Sequence, residues 1–247
     1  MTNKWLKVAL MVTAIATGTS INIDAETVLY VPQDDRPVSL QYTVDTAREA
    51  GMTVLTPPQH LISGKTYQGQ ADQIMAWVEQ NAGRADVMVL STDTLIYGGL
   101  VDSRKHNIPL STLQNRLKRI EGLKARNKNV RIYGFGTVMR SPRASGGGTE
   151  PAYYAEYGPT IFQIAALQDK LDSGSLTQEE TQKLMSLQAS VPVEYLQDWF
   201  DRRQKNMKIN KELIDETRSG VFDYFALGHD DTSQLSQSAL EGRYLNK

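Results

Sequence analysis

Five short apolar runs, each closed by a breaker or a polar turn, constrain this chain more than any other feature. They are "TVLYVP" (27–32), "MTVLTP" (52–57), "DVMVLST" (86–92), "VRIYGFG" (130–136) and "DYFALG" (223–228). Runs of this length, rich in β-branched and aromatic residues, read as strands. The unbroken apolar character of 28–31 and 87–90 suits strands covered on both faces, as in a parallel sheet. Helical patterns lie between them. Tyr42 to Ala50 stops at Gly51, Ala71 to Ala82 stops at Gly83, and a helix from Ser111 carries Leu113, Leu117, Ile120 and Leu123 on one face. This rhythm predicts an α/β fold with a mainly parallel sheet and right-handed crossovers, either barrel-like or open and doubly wound. Five strands fall short of an eight-stranded barrel. The final "ALEGRYLNK" carries no helix stop signal, so the fold is expected to be incomplete and the chain truncated at its C-terminus.

The interval 150–220 breaks the rhythm, with no convincing strand and a pattern of three helices. Thr177 with Glu180 forms a capping box, and Pro192 sits at a helix start. So long a crossover is expected to be a helical insertion over the strand ends, within a single α/β domain spanning 26–247.

Residues 1–25 read as a signal peptide. Lys4 and Lys7 precede the apolar Val8 to Gly18, and small residues follow up to Ala25. The stretch is too short for a membrane span, so the mature protein is expected in the periplasm or outside the cell. An uncleaved signal anchor is the alternative, and the one route to a membrane. A net charge of −1 supplies no basic face for nucleic acid, and the absence of cysteine excludes disulfides and thiolate chemistry.

Parallel sheets gather their sites at the carboxyl ends of the strands. Those ends here hold Asp34, Asp35 and Arg36; then Asp93, "YGG" (97–99) and Arg104; then Arg140 and Arg143; then His229, Asp230, Asp231 and Thr232. A lone aspartate after a strand is commonly a helix cap. A doublet exceeds that need, which suggests one member capping and its neighbour facing the cleft. The candidate catalytic residues are therefore Asp34, Asp35, Asp93, Asp230 and Asp231, with Arg36, Tyr97, Arg104 and His229 binding substrate. "YGG" either lets backbone approach a ligand or turns the chain. His60 and His106 lie in polar connections and are expected to be exposed. "GFG" (134–136) and "SGGGTE" (145–150) match no nucleotide-binding fingerprint. Zincin and serine-hydrolase patterns are absent.

The blocks "YVPQDDRPVSLQY", "LTPP", "STDTLIYGGLVDSR" and "GHDDTS" resemble those of a bacterial family catalogued as domain of unknown function 4127. They occur in family order across 28–233. The resemblance implies the N-terminal part of a longer protein and no established activity. It also implies arginine where this chain has His229, which weakens that histidine as an essential proton carrier.

Two carboxyl groups flanking one cleft are what glycoside hydrolysis requires. The leading expectation is a secreted hydrolase, glycan-directed, with Tyr153, Tyr154, Tyr157 and Trp199 either stacking sugar or simply packing. A variant has the same aspartates hold a divalent cation through oxygen ligands. The alternatives are a non-catalytic envelope protein binding a small molecule or glycan, and an inactive fragment.

Overall fold

The computed structural model describes residues 25–144, 147–231 and 233–246; the leader pattern over residues 1–24 and Thr232 lie outside them. All five apolar runs form strands: β1 (Thr27–Val31), β2 (Thr53–Leu55), β3 (Val87–Ser91), β4 (Arg131–Val138) and β5 (Tyr224–His229). They make one parallel sheet in the order β2-β1-β3-β4-β5. The sheet is open, with β2 and β5 at its edges, so of the two expected architectures it is the unclosed one.

Nine α-helices are described. They are α1 (Gln41–Glu49), α2 (Ala71–Asn81), α3 (Thr92–Tyr97), α4 (Asp102–Lys105), α5 (Leu110–Arg126), α6 (Tyr154–Asp172), α7 (Gln178–Ala189), α8 (Val193–Arg218) and α9 (Gln237–Leu245). Side chains alternate across a strand, so Leu29, Val31, Met88, Leu90 and Ile132 share one face. That face packs on Ile74 and Val78 of α2, the leucine stripe of α5, and Ile209 and Leu213 of α8. Burying a side chain of this size contributes about 1.5–3 kcal/mol, so this cluster is the main source of stability. On the opposite face α1 buries Val44, and a groove of about 280 Å³ runs over Val28, Tyr30, Val89 and Tyr133.

The 150–220 interval folds as three helices, with the capping box at Thr177 formed as expected. Helices α6 and α7 and the first half of α8 enclose a second core around Tyr154, Ile161, Ile164, Leu184 and Trp199. The C-terminal half of α8 returns to the main core. No helix among the described residues is long and apolar enough to cross a membrane.

Candidate functional site

The strand order places a topological switch between β1 and β3, because the chain leaves them toward opposite edges of the sheet. Gln33 follows β1 and Asp93 follows β3, and the Gln33 amide donates to Asp93 Oδ2 at 2.8 Å. The Thr137 hydroxyl, at the end of β4, donates to the same oxygen at 2.8 Å. Asp93 thus fastens three strand ends together. It is 2% exposed, and burial raises its pKa to about 6, moderated by these hydrogen bonds and by Arg104.

Helix α3 starts directly at the strand end because Ser91 Oγ accepts the Thr94 N–H and caps it. It stops at Gly98, where φ is 110°, a conformation that favours glycine. A Cβ on Gly69 would lie 1.9 Å from the Gly98 carbonyl oxygen, and one on Gly99 1.8 Å from Ser63 Oγ. "YGG" therefore turns the chain and seats the 63–69 loop against it. That loop brings Lys65 to the site and Tyr67 to Asp35, whose carboxylate accepts the Tyr67 hydroxyl.

A cavity of about 510 Å³ opens above these strand ends, and its walls include Asp34, Arg36, Lys65, Arg104, Arg140 and Asp230. Asp34 Oδ1 accepts the Arg36 backbone N–H at 3.2 Å and Oδ2 accepts Nε at 2.8 Å. That local turn holds Arg36 half over the opening, its side chain 54% exposed. Arg104 lies beneath, its side chain 4% exposed, and donates through Nη2 to Asp230. Its Nη1 is 3.7 Å from Glu150 Oε1. Glu150 also accepts from Arg140 Nε at 2.7 Å. Burial pushes the Glu150 carboxyl up, opposed by Arg104 and then Arg140. Burial also lowers the Arg104 pKa, and the neighbouring Arg140 charge lowers it further.

The acidic doublets divide in the same way. Their first members, Asp34 and Asp230, line the cavity. Their second members are engaged elsewhere: Asp35 with Tyr67, and Asp231 with the backbone N–H groups of Ser141 (2.7 Å) and Ser233 (3.3 Å). Asp231 therefore ties the loop after β5 to the loop after β4. Arg36 and Arg104 join the cavity; Tyr97 and His229 do not. Tyr97 is buried and stacked on His106 with ring centroids 4.9 Å apart. His229 packs against Gly242 of α9, with Nδ1 3.3 Å from Ser238 Oγ, and lines a separate hollow beside β5.

His106, expected at the surface, is buried, and burial lowers its pKa to about 4. Nδ1 accepts the Ile108 N–H, so Nε2 carries the proton and donates to Asn206 Oδ1 at 2.8 Å. The polar letters around it, "RKHNIP", hid a ring covered by α8. The aromatic residues of the 150–220 helices pack rather than line the cavity. Tyr154 and Trp199 are wholly buried, and Tyr153 stacks on Tyr195 at 4.8 Å. Lys65, Glu150 and Arg140 are the site members that strand-end reasoning missed or undervalued; Arg140 was visible in "VMRSPR", whereas Lys65 and Glu150 lay in glycine-containing loops away from any strand end. Among the described residues no group of three or more His, Asp or Glu side chains is arranged to hold a metal ion.

No curated protein and no solved structure matches the chain. A family model described as "Protein of unknown function (DUF4127)" matches residues 28–247, from the first strand through the last helix. The chain belongs to the DUF4127 family.

Proposed function

We propose that this protein is a secreted hydrolase acting on glycans, with Asp34 and Asp230 as its working carboxyl pair. The observation that carries the reading is that these two aspartates, from opposite ends of the sheet's sequence, line one cavity at the carboxyl edge of a parallel sheet. Glycoside cleavage needs one carboxyl group to protonate the leaving oxygen and a second to act as nucleophile or to activate water. Guanidinium groups beside both carboxyls, Arg36 at Asp34 and Arg104 at Asp230, orient them and supply hydrogen-bond donors for hydroxyl groups. Asp93 acts through the scaffold, holding the strand ends that carry the pair. The N-terminal leader pattern supports export.

The same arginine pairing favours a second reading, a non-catalytic ligand-binding protein, since both lining carboxylates already have cationic partners. Asp34→Asn and Asp230→Asn separate the two. Assayed on a panel of aryl glycosides and oligosaccharides, each variant of the hydrolase loses about 100-fold or more in turnover while still binding ligand. Wild-type turnover that survives both substitutions overturns the assignment of the pair. Weakened binding in a protein with no turnover to lose supports the second reading.

A further inference from the structure

The cavity walls hold four cationic side chains, Arg36, Lys65, Arg104 and Arg140, against two carboxylates, Asp34 and Asp230. Buried beneath is a third carboxylate, Glu150, whose side chain is 2% exposed. Its Oε1 meets both Arg140 and Arg104, while Oε2 is buried without a hydrogen-bond partner among the described residues. Two guanidiniums are thus held side by side by the carboxylate behind them, with Asp230 engaging Arg104 Nη2 from the cavity wall. Their like charges oppose each other: burial first, and then the Arg140 charge, lowers the Arg104 pKa. An oxyanion on the cavity side would meet both guanidiniums and offset their mutual repulsion. The backbone reinforces the arrangement. Arg203 of α8 donates to the carbonyl oxygens of Met139 (2.5 Å) and Arg140 (2.9 Å), so the chain segment bearing Arg140 is fixed from behind. A neutral sugar needs neither a cationic excess nor a buried carboxylate aligning two arginines.

We propose that the ligand of this cavity is an acidic sugar, bearing a carboxylate or phosphate that sits against Arg104 and Arg140, and that Glu150 is the positioning residue that aims them. The inference rests on the cavity being the substrate site, but not on its being catalytic. Charge-assisted pairing to arginine is short and strong, and a bidentate geometry discriminates by shape as well as charge. Lys65, which also lines the cavity, adds a further positive charge to it.

The test is calorimetric titration of the full chain with glucuronate, glucose 6-phosphate and glucose, which needs no turnover. Either or both anionic sugars are expected to bind about tenfold or more tightly than glucose. That preference should fall as salt is raised. The carboxylate and phosphate arms report which oxyanion the pocket prefers. Arg140→Met should abolish the preference. Glu150→Gln keeps the shape while removing a negative charge that by itself disfavours an anion, so charge alone would raise the anionic-to-neutral ratio; loss of aim is expected to lower it, and an unchanged or raised ratio overturns the positioning role. Equal affinity for glucose and both anionic sugars overturns the proposal. So does an undiminished anion preference in Arg140→Met. Loss of the hydrolase reading through the aspartate variants leaves this binding result unaffected, so the two failures are distinguishable.

Discussion

Asp93 and His106 are both buried and hydrogen-bonded, and burial shifts both, yet their effects on stability run in opposite directions with pH. The folded pKa of Asp93, about 6, lies above its ordinary 3.8. Its contribution is therefore full at acid pH and lost as pH rises through about 6. The folded pKa of His106, about 4, lies below its ordinary 6.5, so its contribution is present above 6.5 and lost as pH falls toward 4. Each shift corresponds to about 3 kcal/mol, and across the shared window the two slopes largely offset. Single variants should expose them. Relative to wild type, Asp93→Asn should gain about 3 kcal/mol between pH 4 and 7, because the amide oxygen still accepts from Gln33 and Thr137 but no longer ionises. His106→Asn should remove the opposite slope. Urea denaturation over a pH series reads both, and parallel pH profiles for wild type and either variant would refute the assignment. Asp93 stood out in the sequence as polar at the end of a buried strand. The burial of His106 did not, because it is produced by α8, nearly a hundred residues further on.

Among the elements, α8 has the least ordinary composition: Arg202, Arg203, Asn206 and Asn210 are buried along it. Arg203 forms a bidentate pair with Glu241 of α9, both contacts at 2.7 Å, and stacks on Trp199 at 4.7 Å. Removing one partner of a buried pair leaves the other charge uncompensated, a loss of about 3–5 kcal/mol. Arg203→Met should show it by chemical denaturation, and adding Glu241→Gln should recover part of the loss. No change in the single variant would mean that the pair is dispensable. The five strands, the leucine stripe of α5 and the capping box of α7 were legible because each is a local pattern. Helix α3 was not: its six residues are all buried, so no polar face marks a helical period. The site was half legible. The acidic doublets announced their strand ends, and all four aspartates belong to loops at one edge. Which member would face the cavity depends on Tyr67 and on the Ser141 backbone, neither of which a local pattern ties to an aspartate.

At the scale of the whole molecule, two hydrophobic cores share one helix. Trp199 lies in the helical core, and Ile209 and Leu213 lie in the sheet core. Leu213→Ala should lose about 2–5 kcal/mol, and unfolding followed by circular dichroism and by tryptophan fluorescence should move together in one transition. Separate transitions would show that the halves are independent. A rod seated in two bearings transmits displacement between them, and Arg203, midway along this one, grips the carbonyls that flank the cavity wall at Arg140. The helices of 150–220 are consequently no detachable ornament: nicking the chain within 193–218 would slacken the pocket without touching any residue that lines it.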